Sequence, residues 1–166
     1  MAVLEILKYP DPRLKQECTD VDAIDESVLT FIADLEETMR AGPGGVGIAA
    51  SQVGNFQNIV IVDVSARKNT VNNGCMILIN PEITRWDGLA VGREGCMSVP
   101  DFTGNVVRAE SIGLNALNVK GECVEYECEG YEARAVQHEV DHLNGMLFLD
   151  RLVSRRNDLF KRKVYK

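Results

Sequence analysis

The sequence lacks the features that mark membrane, secreted and nucleic-acid-binding proteins. Its longest uninterrupted apolar run is Cys75–Ile79, far short of the roughly 20 residues that a membrane-spanning helix needs. The N-terminal stretch MAVLEILKYPDPRLK has no basic segment followed by a long apolar one, so no secretory signal is predicted. The 18 Lys and Arg residues are outnumbered by 25 Asp and Glu, giving a net charge of −7, which argues against general binding to DNA. We therefore expect a cytoplasmic protein without membrane or DNA partners.

Cysteine and histidine are scarce, and their arrangement excludes two further classes of protein. The five cysteines are an odd number and include no Cys-x-x-Cys pair, which argues against a disulfide framework and against a dithiol redox protein. A reducing compartment is expected, in which at least one thiol is free for other chemistry. Only two histidines are present, so their positions are informative.

The chain has the length and composition of a single globular domain. Its 166 residues contain no repeat, low-complexity tract or linker, and the apolar fraction is 45%, so we predict one domain over residues 1–166. Charge is distributed unevenly, because residues 151–166 hold seven basic residues and one acidic residue, whereas residues 1–150 hold 11 basic and 24 acidic ones. We expect residues 150–166 to include a basic C-terminal helix.

Hydrophobic spacing predicts three helices and a series of short strands. Helical periodicity covers residues 25–41, 131–144 and about 154–164. Apolar and β-branched segments predict strands at residues 58–64, 75–80, 89–91, 111–119 and 122–128, with Pro81 closing the second strand and residues 119–122 at the tip of a hairpin. This order predicts an α+β fold, with antiparallel or mixed β-sheets around the helix at 131–144 and further helices towards the N- and C-termini.

Both histidines lie in one string of that central helix, His138-Glu139-Val140-Asp141-His142. The i, i+4 spacing brings the two imidazoles to one helical face, where they can bind the same metal ion. Glu139 lies about 100° around the helix, close enough to reach a water on that ion but poorly placed to be a third ligand. The competing interpretation is a surface helix with two unrelated histidines.

A third protein ligand would complete a site that keeps one position open for water. The spacing of one zinc-protease class would require a histidine where Phe148 stands, and no Glu follows Glu139, so a downstream ligand is disfavoured. Asp150 and Asp158 remain as downstream alternatives. Among the upstream cysteines, Cys96 follows Gly95 at a predicted strand end, where Pro100 ends the strand, and is well placed to bind a metal as thiolate.

The other cysteines have simpler interpretations. Cys123 and Cys128 are five positions apart on one predicted strand. Side chains an odd number of positions apart face opposite sides of a strand, so the two cysteines cannot share a site. Cys18 and Cys75 are expected to be buried structural thiols.

The segment Gly42–Gln52, GPGGVGIAASQ, is rich in glycine but does not match a nucleotide site. It formally contains Gly-x-Gly-x-x-Gly, yet it follows a helix instead of a strand and has no Gly-Lys-Ser/Thr. It offers exposed backbone and one amide side chain, Gln52. A flexible turn is the competing interpretation.

Three strings together resemble the signature motifs of peptide deformylases, in that family's order and spacing: GVGIAASQ (45–52), EGCMSVP (94–100) and QHEVDHLNG (137–145). The resemblance extends to the start ILKYPDPRL (6–14) and covers nearly the whole chain. Met97 replaces the usual leucine of the second motif, a volume-conserving exchange. Thr103 stands at about the point where some members have an arginine near the peptide substrate.

The resemblance implies hydrolytic removal of the formyl group from the N-formyl-methionine of nascent polypeptides, with release of formate. It implies one divalent metal ion, Fe2+ in many members and otherwise Zn2+, Ni2+ or Co2+, held by Cys96, His138 and His142. Glu139 would then move the proton of the attacking water, and the Gln52 amide and the Met97 backbone N–H would bind the oxyanion.

Further roles follow by the same analogy. Gly45, Val46 and Gly47, with the Met97 side chain, would bind the substrate and border an apolar pocket for its methionine. Gln137 and Asp141 are candidates for orienting the metal ligands, and Arg108 is expected to pair with Glu94.

Two other functions compete with this interpretation. A metallopeptidase shares the two histidines and the glutamate but usually takes its third ligand from downstream. A non-enzymatic ribosome-associated protein would use the basic tail as its interaction surface. That tail is either a solvated helix face or a surface that docks on ribosomal RNA.

Overall fold

The computed structural model describes residues 2–162, in which two helices pack with two antiparallel sheets. The first helix, α1, spans Glu26–Ala41. Its start is fixed by Asp25, whose carboxylate accepts a hydrogen bond from the Val28 backbone N–H at 3.0 Å, and Gly42 caps its C-terminal end. The helix expected at residues 25–41 is therefore confirmed to within one residue.

The larger sheet has five strands in the order β1-β2-β3-β6-β7. Their bounds are Gly47–Ala49 (β1), Ile59–Val62 (β2), Met76–Asp87 (β3), Ser111–Leu117 (β6) and Cys123–Glu129 (β7). The β6–β7 turn confirms the predicted hairpin tip, with Gly121 at φ 79°. Because β1 is an edge strand, one side of its backbone is not paired within this sheet.

The smaller sheet joins β4 (Ala90–Cys96), β5 (Val99–Arg108) and β8 (Leu159–Lys161). Strands β4 and β5 form a tight hairpin in which Cys96 is opposite Val99. A strand was expected at residues 89–91, overlapping the start of β4, but none over most of β5. Its pattern failed there because Asp101, Thr103, Gly104 and Asn105 interrupt the apolar residues.

The second helix, α2, spans Gly130–Leu143 and lies at the centre of the fold, as predicted. It packs against β1, β2 and β7. Its apolar side chains, among them Val136 and Leu143, join a core with Val60, Val62 and Leu114 of the large sheet. Most of the polar residues on α2 are also buried, including His138, Glu139, Asp141 and His142. A helix that buries charged groups in this way requires partners for them, and these partners form the site described below.

The expected C-terminal helix is wrong for the described residues. Residues 155–157 form a turn and Leu159–Lys161 form β8, while residues 163 and 164 lie outside the described range. The segment pairs with the open edge of β5, where the backbone N–H of Arg162 donates to the carbonyl of Asp101 at 2.8 Å. Strand pairing also allows Leu159 to pack with the core beneath β5, so tertiary contacts outweigh the local helical spacing.

Proline did not end strands where expected. Strand β3 continues through Pro81 because a register shift between Ile79 and Glu82, with Asn80 at φ 51°, interrupts the ladder there. Pro100 lies inside β5, next to the register shift beside Cys96.

Two cysteines differ from the expectation of buried structural thiols. Cys75 is exposed, which corrects that expectation, and Cys18 is half-buried.

Within residues 2–162, neither helix is long and apolar enough to cross a membrane.

Candidate active site

The fold brings Cys96, His138 and His142 together in the interior. One ligand atom from each residue lies within 4.8 Å of the other two, and the distance from Cys96 Sγ to His142 Nε2 is 3.4 Å. The histidines come from successive turns of α2, and the cysteine comes from the end of β4. The two downstream alternatives make other contacts, because Asp150 accepts from the Leu147 backbone at 2.9 Å and Asp158 accepts from Asn105 at 2.9 Å.

This group fits a divalent transition metal. One thiol and two imidazoles are the donor types that such ions take, and three of them leave a position for water. Burial lowers the pKa of His142 well below its ordinary value, so its imidazole is neutral and able to bind a metal. In addition, Oε1 of Glu139 is buried without a hydrogen-bond partner among the described residues, as expected of an atom that faces a bound water.

Glu94 accepts four hydrogen bonds, two from its own sheet and two from α2, and so connects the small sheet to α2. Its carboxylate accepts from Arg108 Nε and Nη2, both at 2.9 Å, from Arg134 Nη1 at 2.8 Å, and from His138 Nδ1 at 2.8 Å. Burial alone would raise the pKa of Glu94, but the hydrogen bonds from Arg108 and His138 outweigh it and hold that pKa far below its ordinary value. The ionised carboxylate thus fixes the ring orientation of His138.

Arg108 extends this network to a second carboxylate. It pairs with Glu94, as expected from the sequence, and its Nη1 also donates to Asp141 at 2.5 Å. Asp141 receives a further hydrogen bond from Arg151 Nε at 2.6 Å. Among the described residues, Asp141 is therefore linked to the Cys/His/His group through Arg108 and Glu94. Gln137 does not contact a ligand, because its amide bonds the backbone of Ala109 and Ala133.

The 3-10 turn Ala50–Val53, between β1 and β2, places an amide side chain beside the group. Gln52 is held by its Oε1, which accepts from the Ala49 backbone at 2.9 Å. Its Nε2 points to Cys96 Sγ at 3.5 Å and donates to Ser98 Oγ at 3.1 Å. The Ser98 backbone N–H also points to Cys96 Sγ, at 3.4 Å. Met97, between these residues in the β4–β5 turn, directs its side chain at Gly42.

Gly47 lies so close to the carboxylate of Glu139, the candidate for proton transfer, that a side chain at position 47 would collide with it. A Cβ on Gly47 would lie 2.6 Å from Oε2 and 3.0 Å from Cγ of that glutamate. Burial raises the pKa of Glu139 to about 7. A carboxylate with such a pKa can both accept and return a proton near neutral pH.

The group opens into a cavity of about 430 Å³. Gly45, Val46, Gly47 and Met97, the candidates for substrate binding, line one part of it. Several further lining residues were not identified from the sequence, among them Arg93, Tyr131, Arg134 and Arg162. Tyr131 and Arg134 could have been found, since they precede His138 by seven and four residues and so share its helical face. Arg93 and Arg162 depend on the pairing of β4, β5 and β8, which the sequence did not predict.

A buried Cys/His/His group beside a carboxylate, at the bottom of an open cavity, defines a metal-dependent hydrolase. The sequence model of the polypeptide deformylase family matches residues 3–158. This chain belongs to that family.

Individual relatives match this chain over at least nine tenths of their length. The chain is 43% identical to the peptide deformylase of Alkalilimnicola ehrlichii, over all of this chain and 91% of that protein, and 40% identical to that of Syntrophobacter fumaroxidans, over 98% and 94%. The crystal structure of peptide deformylase from Thermotoga maritima superposes with a TM-score of 0.85 at 39% identity, covering 93% of this chain and all of that one. A class I type b enzyme from Acinetobacter baumannii with Met-Ala-Ser bound gives a TM-score of 0.84 at 36% identity, covering 91% and 99%.

The Glu94 network generates a prediction about metal affinity. Glu94→Gln keeps the shape of the side chain but removes the charge that holds His138, so metal affinity should fall about 10- to 100-fold. Competition with a chromophoric chelator measures this affinity. The exposed Glu82, changed to Gln, is the matched control and should leave affinity unchanged. Equal affinities for the two variants would contradict the positioning role of Glu94.

Proposed function

We propose that this protein hydrolyses the formyl amide of N-formyl-methionine at the start of nascent polypeptides and releases formate. Membership of the polypeptide deformylase family supports the reaction. The observation that supports the residue assignment is the buried convergence of Cys96, His138 and His142 beside Glu139. In this assignment the first three residues hold one divalent metal ion, which supplies a Lewis acid for the formyl carbonyl and lowers the pKa of water.

Glu139 is the proton-transfer group of the proposed reaction. Its Oε1 lies 3.8 Å from His142 Nε2, so the carboxylate faces the ligand group without being bonded to it. It accepts a proton from the attacking water and passes it to the nitrogen of the departing amine, which leaves as the free N-terminus of the peptide. Gly47 makes this position accessible, because a larger residue would displace the carboxylate.

Gln52 and the Met97 backbone N–H are the proposed donors to the oxyanion that forms on the formyl group. The Gln52 amide is fixed at its oxygen by Ala49, so its nitrogen is held towards Cys96 before substrate arrives. A donor fixed in this way needs no reorganisation during the reaction and is typically worth about 3–4 kcal/mol in the transition state.

The substrate backbone is proposed to lie along β1 and the loop that precedes it. Gly45 and Gly47 offer backbone groups at this edge of the large sheet, and an extended peptide can pair with an open strand edge. Val46 and the Met97 side chain are placed to contact the apolar methionine side chain in the cavity.

Replacing the proton-transfer group tests the mechanism. Glu139→Gln should keep the bound metal and lower kcat for formate release from formyl-Met-Ala-Ser by about 10²- to 10⁴-fold, because a neutral amide cannot accept the water's proton. Metal content and circular dichroism are measured on the same preparation. Retained turnover in this variant would overturn the assignment of Glu139.

The same assay separates this reaction from that of a metallopeptidase. The wild-type enzyme should release formate from formyl-Met-Ala-Ser and leave the unformylated peptide Met-Ala-Ser intact. Cleavage of the unformylated peptide would favour the alternative.

We propose Fe2+ as the native ion, with Zn2+, Ni2+ or Co2+ able to take its place. The thiolate of Cys96 donates more charge than a third imidazole would, which weakens a zinc ion as Lewis acid. Protein purified without oxygen should contain iron and lose activity in air as the metal and the thiolate are oxidised, whereas Ni2+ with a thiol reductant should protect it. Zinc in the anaerobic preparation, with activity that is stable in air, would contradict this choice.

The ribosome and the cytoplasm are the proposed partner and location, because nascent formylated chains emerge there. With the helix expectation corrected, the exposed turn that contains Arg155 and Arg156 is the candidate contact with ribosomal RNA. Changing both residues to Glu should weaken co-sedimentation with ribosomes and reduce its salt dependence, since phosphate contacts weaken steeply with salt. Identical salt curves for the variant and the wild type would refute this contact.

A further inference from the structure

The mouth of the active-site cavity is positively charged although the protein as a whole is acidic. Three exposed basic residues line the cavity, Lys8, Arg93 and Arg162, whereas its two acidic lining residues, Glu94 and Glu139, are buried. Within residues 2–162, none of the three cations forms an ion pair with a carboxylate. The whole chain has a net charge of −7. An approaching peptide therefore meets a positive potential at this rim, although the protein as a whole is negatively charged.

Arg162 reaches the mouth because β8 pairs with β5. In the register of the small sheet, Phe160 is opposite Thr103, and Thr103 is opposite Gly95. Side chains two residues apart on a strand share a face, so Arg162 lies on the same face as Phe160. A Cβ on Gly95 would be 2.5 Å from Arg162 Nη2 and 3.4 Å from Thr103 Cγ2. The guanidinium therefore covers Gly95, beside Thr103 and next to the proposed ligand Cys96.

The other two cations are anchored differently, Arg93 through its side chain and Lys8 only through the backbone around it. Arg93 stacks on the Phe160 ring at 3.8 Å and donates to Asn105 Oδ1 at 3.2 Å. Lys8 lies between two residues whose backbone N–H groups bond to active-site loops, Leu7 to the Gln52 carbonyl and Tyr9 to the Ser98 carbonyl, both at 2.7 Å. Because the Arg93 guanidinium is held in place, it loses less conformational entropy when it binds a partner than a freely moving side chain does.

We propose that Lys8, Arg93 and Arg162 form a cationic mouth that favours nascent peptides with an acidic second or third residue, and that Arg162 is its principal specificity-determining residue. This inference rests on the proposed function, which places the formyl group at the buried end of the cavity. The residues that follow methionine then leave past the exposed rim, where a carboxylate meets the three cations.

Peptides that differ only in charge test the proposal. Holoenzyme is assayed with formyl-Met-Asp-Ala and formyl-Met-Ala-Asp, and with the matched Asn and Lys peptides. At low salt, kcat/KM for each Asp peptide should exceed that of its Asn counterpart by about threefold to fivefold, the upper part of the range for an exposed ion pair, and exceed that of the Lys peptide by more. The preference should shrink at about 0.5–1 M salt, because charges at an exposed rim are screened.

Variants of the tail identify the residue responsible. Arg162→Gln should reduce the Asp-to-Lys ratio by about threefold to fivefold, and Arg162→Lys should restore much of it. Arg156→Gln removes the same charge from the exposed turn and is the matched control, which should keep the wild-type ratio. Equal rates on Asp and Lys peptides, or equal ratios in the Arg162→Gln and Arg156→Gln variants, would overturn the proposal.

Binding of the unformylated peptides Met-Asp-Ala and Met-Lys-Ala, measured by calorimetry, separates this proposal from the reaction itself. Tighter binding of the Asp peptide that depends on Arg162, without formate release from any peptide, would support the mouth and refute the proposed function. Formate release with no preference for the Asp peptides, in either rate or binding, would support the proposed function and refute the cationic mouth.

Discussion

The buried carboxylate of Glu94 is the interaction on which the site depends. It accepts hydrogen bonds from Arg108 of its own sheet and from Arg134 and His138 of the central helix, so it fixes the small sheet to α2. A buried charge is stable only when it is paired and fully hydrogen-bonded, and removing one member of such a group typically costs about 3–5 kcal/mol. The same contacts orient the ring of His138 and hold the strand that ends in Cys96. One carboxylate therefore contributes both to stability and to the geometry of the proposed metal ligands.

The rest of the site follows from bringing a polar helix into the core. Position 47 has no side chain, which allows Glu139 to lie against the edge strand β1. Burial then raises the pKa of Glu139 and lowers that of His142, so one group is suited to proton transfer and the other to metal binding. The edge of β1 and the cavity beside it leave space for an extended peptide. The packing around Gly47, the shifted pKa values and the open cavity are thus all consistent with hydrolysis of a peptide substrate at this site.

Local sequence patterns predicted the helices and the ligand group but not the sheet that forms the mouth. Asp25 and Gly42 mark the ends of α1 within one residue, and the spacing of His138 and His142 is a helical property. Cys96 could be favoured only because it is unlike the other four cysteines. The strand at 159–161 and its Arg162 could not be predicted, since β8 forms by pairing with β5, a contact between segments more than 50 residues apart. Arg134 binds Glu94 across a similar separation, which no periodicity reveals.

The most direct test of the central claim is a Co2+ titration of metal-free enzyme, following thiolate-to-cobalt charge-transfer absorption and formate release from formyl-Met-Ala-Ser together. Our account predicts that both signals rise in parallel and saturate at one ion per chain, and that the charge-transfer band is absent in Cys96→Ser. Full activity without that band, or an unchanged band in Cys96→Ser, would contradict a reaction centre built from Cys96, His138 and His142.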